Sequence, residues 1–481
     1  MLKNILQKIK NDVVTYGVAT ILTRIMGLVL IRITTEFITP EQYGYIEIIL
    51  IYASIFGAMC VLGMDSSMSF YYSKYVYRSK LMAEKVFALA FYNKIFIAVI
   101  GLLGIYLYHL VLLIPENSIS ESFYDLVIVI VNAVILQLIN TYCDKFRLIN
   151  KPRKYFAITV SQTFIVVVVT TILLYVQSLG YLAVLYGNMI GLICILTWLI
   201  ITEGLPKPSI NLRLRLYIKM VKFGFPLFCS NALLLFMHSI DRIFLNSFRT
   251  QIEIAGYSLA VKISMSLFIV IEIFRKSWWP VAMGQLHEGN IGQNKLFGIV
   301  SELYAAMATL AYFLLVLLSP KLLTFISAVG YPIQWIELCI LGFHPIIYGY
   351  FLICTISLLE AKKTLTITII SLTSLICGIL LNFILIPKFG TIGAATATIL
   401  ADIIWINITI ICNNRQKYID LRLPTVLRYF IIGILCLTSF IYAKALNGIG
   451  GYIIFCLCGI YLSIQTAKTV FATNALLTEN C

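Results

Sequence analysis

Six ionisable residues sit inside long runs of apolar sequence: Arg24, Arg32, Lys94, Arg242, Lys262 and Asp402. A charge at bilayer depth costs about 3 kcal/mol even on lenient insertion scales, so it seeks a wet cavity, a partner or the headgroups. The five cations point to one chemistry. A guanidinium grips phosphate oxygens as a fork and an ammonium acts as a point charge, so cations lining a lumen suit an anionic headgroup. Each also has a blander reading. Arg24 lies near the middle of its helix, too deep for easy snorkelling, whereas Arg32 is one turn from the outer end and within reach of the headgroups. Eight positions separate them, roughly 80° around and about 12 Å along a helix, so both can address one lumen. Arg242 follows Asp241, and a local ion pair or a snorkelled end competes with a cavity-facing role. Lys262 lies six residues into its helix, where snorkelling competes again. Lys94 reads as a snorkeller toward the cytoplasmic side. Asp402 stands midway along its helix with no cation near it in sequence. It suits a proton or sodium site, or a neutral or helix-capping role between packed helices. No catalytic or metal-ligating spacing stands out. The twelve cysteines form no CxxC pair and read as small buried apolar residues.

The elements that must position these residues are membrane helices. The chain has 481 residues, 60% hydrophobic and only 12% charged, and apolar runs of helix length recur throughout. The expected fold is an all-α polytopic membrane protein with about fourteen transmembrane helices. They centre near 13–35, 44–64, 86–113, 125–144, 156–178, 181–203, 223–246, 256–280, 296–318, 335–359, 365–386, 391–412, 429–446 and 450–470. The basic, amphipathic start lacks a small-residue cleavage site and is not read as a signal peptide. Of the 36 Lys and Arg, 27 fall in loops on the side of the N-terminus and four, Arg249, Lys321, Lys388 and Lys444, in the opposite loops. The positive-inside rule therefore puts both termini in the cytoplasm. Most of the net charge of +15 is topology, which removes nucleic acid as a partner. Aromatic clusters at predicted helix ends, Phe70-Tyr71-Tyr72 and Trp278-Trp279, suggest an interfacial belt.

A repeat of about 210–212 residues divides the chain. Gly44-Tyr45 returns as Gly256-Tyr257, Lys85-Val86-Phe87 as Lys295-Leu296-Phe297, and Gly180 as Gly390. Six helices per repeat preserve orientation, so the bundles are expected to be parallel, a common plan for secondary transporters. The expected organisation is an N-terminal bundle over 1–203, a cytoplasmic linker over 204–222, a second bundle over 223–412, and two additional helices with a tail over 413–481. Both bundles carry cations in their first two helices, which predicts a cationic lumen between them.

The stretch from Leu381 to Asp402 is a helix, a Pro-Lys-Phe-Gly turn and a second helix. Pro387 cannot continue a helix and Gly390 permits a tight reversal. Gly393, Ala397 and Ala401 line one face, small enough for close helix packing. Asn382, Ile386-Pro387, Gly390 and Gly393-Ala394-Ala395 resemble the N-x-x-x-I/L-I-P-x-x-G-x-x-G-A-A pattern of Wzx-type flippases in the multidrug/oligosaccharidyl-lipid/polysaccharide exporter superfamily. Thr23-Arg24-Ile25-Met26-Gly27 is similar to the S-R-I-x-G of the related lipid II flippases. Tyr43-Gly44 after Pro40-Glu41 fits the family's first loop. Gly256 to Lys262 resembles the start of the family's eighth helix, where a basic residue lines the lumen.

The resemblance covers roughly residues 10–470 and implies a MATE-like fold. It also implies flipping of an undecaprenyl-pyrophosphate-linked oligosaccharide, an O-antigen or capsule unit, across the bacterial inner membrane. It implies no cofactor beyond H+ or Na+ coupling; its partners would be membrane lipids, the lipid-linked glycan and other glycan-assembly proteins. Two departures argue against lipid II as cargo. Arg32 does not sit at the lipid II flippase spacing, and Glu47 stands where those relatives carry a further cation. A multidrug antiporter is the rival within the superfamily, and a membrane glycan polymerase the rival outside it. The short outer loops weaken the second.

Overall fold

The computed structural model describes residues 2–76, 78–111, 120–177, 179–207, 214–269, 271, 293–328, 330–360, 363–414, 423–446 and 449–479. Trp278, Trp279 and Lys295-Leu296-Phe297 lie outside the described residues or their described side chains. The protein is all-α, with no strand among the described residues. Ten helices there are long and apolar enough to cross a membrane.

Two compact units divide the chain, Met1–Ser239 and Ile240–Cys481. The first holds α1 (Leu2–Phe37), α2 (Pro40–Val61), α3 (Met64–Val76), α4 (Lys80–Val111), α5 (Ser120–Leu148), α6 (Pro152–Gln177), α7 (Leu182–Glu203) and α8 (Leu214–Met237). Thr39 caps α2 by accepting from the Gln42 amide, and Pro40 takes the first helical position, where no amide is missed. α6 packs between α1 and α7, α5 against α2 and α7, and α3 against α4 and α8.

The unit boundary falls after α8, beyond the linker expected over 204–222. The reason lies in α3 and α8. At Gly63 and Gly224 the two backbones meet so closely that a Cβ on Gly63 would lie 2.1 Å from the Gly224 carbonyl oxygen. Ser67 Oγ donates to the Met220 carbonyl at 2.5 Å, and the Phe70 and Phe223 rings stack at 4.7 Å. Of the expected aromatic belt, Phe70 stacks on Phe223 while staying 51% exposed, and Tyr72 is buried in the core of the unit.

The second unit holds α9 (Ile240–Phe248), α10 (Gln251–Ser264), a 3-10 turn (Met265–Leu267), α11 (Gln293–Ile326), α12 (Trp335–Leu341), α13 (Phe343–Glu360), α14 (Thr364–Asn414), α15 (Leu423–Leu446) and α16 (Ile449–Glu479). Thr250 and Glu253 form a reciprocal capping box that starts α10. α14 is two spans joined at Gly390, and it packs on α9, α12 and α13. α11, α15 and α16 form a second cluster.

The two glycine turns anticipated by the repeat share a positive φ. Gly180 has φ 56 and Gly390 has φ 62, both in the region that favours glycine. The helical path runs through Pro387, and the break falls three residues later at Gly390. After each turn, small residues bring helices together. A Cβ on Gly187 would lie 2.7 Å from Thr170 Cα, so α7 touches α6 backbone to backbone. In α14, a Cβ on Gly393 would meet the Leu385 carbonyl oxygen at 2.4 Å, and Ser374 Oγ donates to the Ala401 carbonyl at 2.9 Å.

Candidate functional site

Asp402, isolated in the sequence, is not isolated in space. The second half of α14 carries it into the interior, and the first turn of α13 delivers His344 to meet it. His344 Nδ1 and Asp402 Oδ2 are 2.6 Å apart, and the residues are 4% and 3% exposed. The surroundings are aromatic: Phe268 lies 5.8 Å and Tyr348 6.5 Å from the imidazole, ring centre to ring centre, and Trp405 lies one turn beyond Asp402. A buried carboxylate keeps its charge only with a partner, and an imidazole is a partner that can itself gain or lose a proton near neutral pH. The pair can therefore hold one proton or two.

A second polar group borders this pair. Tyr257 of α10, fully buried, donates its hydroxyl to Asp241 Oδ2 at 2.6 Å. The amide of Arg242 donates to Asp241 Oδ1 at 2.8 Å, and the Arg242 Nε lies 3.7 Å from the same oxygen. Thr398, one turn before Asp402, donates its hydroxyl to the Ala394 carbonyl of its own helix at 3.1 Å. Asp241 is close enough to act electrostatically on both His344 and Asp402. Arg242, Asp241 and Tyr257 thus form a chain of polar contacts beside the His344–Asp402 pair. Arg242 has the local acidic partner that the sequence offered as one of its readings.

The remaining candidates are spread over both units. Arg24 is exposed on α1, and Arg32, on the same helix, is half-buried. Lys262 is half-buried at the end of α10. Lys94 departs from its reading as a snorkeller. It is fully buried, and its ammonium meets Asp65 at 2.7 Å, the Gln137 carbonyl at 2.9 Å and Thr141 Oγ1 at 2.8 Å. Helix resumes after the Leu62-Gly63 break as α3, so Asp65 stands beside α4 and supplies the charge that lets Lys94 stay inside.

The Asn382-to-Ala397 motif is a bracket around the Gly390 turn. The guanidinium of Arg249 donates to the carbonyls of Ile386 and Pro387 at 3.0 and 3.1 Å, which satisfies carbonyls freed at the end of the first half-helix. Buried Glu337 accepts from Thr391 on the far side of the turn. Asn382 Nδ2 donates to Gly378 within its own helix at 2.8 Å, and Ala397 is wholly buried. These contacts hold the turn and the packing around it. His344, Asp241 and Tyr257 carry the polar interior and were not singled out by the sequence. One signal was available: the chain has only four histidines, and His344 lies well inside the span expected over 335–359.

A family profile described as polysaccharide biosynthesis protein matches residues 9–286. The chain belongs to that family. Among solved structures, the chain is similar to the lipid II flippase MurJ in an inward-closed conformation. The two are 17% identical with a TM-score of 0.69, over 96% of this chain and 100% of that one. It is also similar to an inward-facing multidrug-resistance MATE family transporter, at 15% identity and TM-score 0.63, covering 82% and 95% of the two chains. A third similarity is to a point mutant of the Vibrio cholerae MATE transporter VcmN, at 15% identity and TM-score 0.58, covering 89% and 99%. These likenesses establish a MATE-like fold. No curated protein matches the chain by sequence.

Proposed function

We propose that this protein is a flippase. It moves an undecaprenyl-pyrophosphate-linked oligosaccharide, an O-antigen or capsule repeat unit, across the bacterial cytoplasmic membrane by alternating access. Its termini face the cytoplasm, and it works alongside other glycan-assembly proteins. The observation that carries this reading is the family match over residues 9–286 in a multi-pass membrane chain. Arg24, Arg32, Arg242 and Lys262 are assigned to the pyrophosphate, through forked and point-charge contacts. No bond of the cargo is made or broken, so the protein is not an enzyme.

Asp402 is assigned to ion coupling, and His344 favours the proton over sodium. Sodium prefers an all-oxygen shell, whereas one carboxylate oxygen of Asp402 is engaged by an imidazole nitrogen. Among the described residues, Asp241 of α9 acts on the pair, and Arg242 of α9 and Tyr257 of α10 contact Asp241 in turn.

The test is glycan export in cells lacking the native protein. Arg24→Ala and Lys262→Ala are each expected to abolish export while the protein still reaches the membrane. Intact export from both variants would overturn the headgroup assignment. The likeness of fold to MATE transporters supports a second reading, a multidrug or cation antiporter. Drug efflux from vesicles without glycan export would select it.

A further inference from the structure

The first unit has a second concentration of charge, at the end where α4 begins and α5 and α7 finish. A pocket of about 470 Å³ opens there, lined by Lys80 and Lys85 of α4, Lys145 of α5, and Lys207 just beyond α7. Two carboxylates, Glu84 and Glu203, share the lining. Both are already engaged: Glu84 holds Lys145 at 2.9 Å, and Glu203 holds Lys154, which is not part of the lining. Lys80, Lys85 and Lys207 have no acidic partner within ion-pair distance among the described residues. The positive end of the α4 helix lies at the same place and adds to the local field.

The pocket is built, not merely basic. Tyr142 donates to the Gly204 carbonyl at 2.9 Å and Tyr92 to the Pro206 carbonyl at 2.7 Å. Those two bonds pin the backbone of one wall and occupy carbonyls that would otherwise repel an anion. The Lys145 ammonium is also fixed over the Phe87 ring, 4.3 Å from its centre. Topology alone needs lysines in loops; it does not need them to converge on a concavity whose acids are neutralised. At the pocket itself, Leu81 and Leu205 are 68% and 55% exposed. Exposed leucines beside unpaired lysines at the ends of membrane helices suit an amphiphile whose charged head lies in the pocket and whose tails remain in the leaflet.

We propose that this pocket binds the phosphate headgroup of an anionic membrane phospholipid. Such a lipid ties the start of α4 to the segment following α7. The site is independent of the cargo assignment, since none of its lysines belongs to the proposed cargo contacts.

The experiment is native mass spectrometry of the purified full-length protein, titrated with phosphatidylglycerol or with phosphatidylcholine of the same chains. Wild type is expected to retain phosphatidylglycerol in preference. Replacing Lys80, Lys85 and Lys207 by Gln is expected to weaken that retention about fivefold per lysine, with phosphatidylcholine unchanged. The matching Arg replacements should restore it. Single Lys85→Gln and Lys207→Gln variants serve if the triple variant does not fold. Equal retention of the two lipids by wild type, or undiminished phosphatidylglycerol on the Gln variants, would overturn the proposal. Lysine-dependent binding of inorganic pyrophosphate without any preference for the charged lipid would place the ligand in solution and also defeat it.

Discussion

Each unit pairs a carboxylate with a buried basic side chain from another helix, and the two pairs solve the same problem differently. In the first unit Lys94 meets Asp65, and its remaining hydrogens point at the Gln137 carbonyl and Thr141 Oγ1. Three oxygens around an ammonium exhaust its donors, so the charge is fixed in place. In the second unit the cation-forming partner of Asp402 is His344, framed by Phe268 and Tyr348. An imidazole ordinarily titrates between pH 5 and 8, where a lysine does not. The first pair is thus a fixture of the fold, and the second contains a group that can gain or lose a proton near neutral pH. Burial by itself does not mark a functional charge; the chemistry of the partner separates the two.

The largest effect expected from this contrast is on stability. Lys94→Ala leaves Asp65, whose side chain is 29% exposed, without its cation and should destabilise the protein by about 3 kcal/mol, read as a fall in the thermal midpoint in detergent. Lys94→Arg should recover only part of that loss, because the flat guanidinium cannot reproduce the three-oxygen cage. A Lys94→Ala protein as stable as wild type would break the distinction.

At the other pair the principal effect falls on transport. Asp402→Asn and His344→Phe should cost about 1–3 kcal/mol in stability. Proton-driven glycan export in vesicles should fall by about tenfold or more. Dependence of export on the pH gradient should vanish in both, while Lys94→Arg keeps it. Export that follows a sodium gradient and ignores protons would assign coupling elsewhere.

The smallest effects concern the paired turns. Gly390 combines φ 62 with ψ -135, a combination nearly confined to glycine, so Gly390→Ala should cost about 1–3 kcal/mol. Gly180→Ala, at φ 56 and facing only the Gln42 side chain, should cost about 1 kcal/mol. The same thermal scans give both.

Much of this architecture was legible because a bilayer forces it into the sequence. Apolar runs of fixed length, lysines biased to one side and the Gly180–Gly390 repeat need no tertiary information. What escaped was the direction in which side chains face. Lys94 read as a snorkeller because its depth along a helix can be counted, whereas its facing toward Asp65 cannot. The break at Leu62-Gly63 looked like the end of a span, although α3 resumes immediately and carries Asp65 inward. Asp402 stood out as an acid inside an apolar run, yet His344 lies 58 residues away on another helix, and no periodicity links them. Arg249 was counted as an outer-loop cation, and its role on the Ile386 and Pro387 carbonyls depends on a fold across 137 residues. The interaction of α8 with α3 escaped for the same reason: two glycines far apart in sequence signal nothing until their backbones touch.

The chain separation within each pair bears on biogenesis. Asp65 and Lys94 occupy helices adjacent in the chain, so they leave the ribosome together and can enter the bilayer as a neutralised hairpin. His344 must wait for Asp402, and Arg249 must wait still longer for the Gly390 corner. The second unit therefore holds unmatched charges during synthesis until the later half of α14 arrives. Premature chain termination between residues 344 and 402 would leave an insertion intermediate exposed to quality-control proteases, whereas a chain ending shortly after α5 would already contain its matched pair.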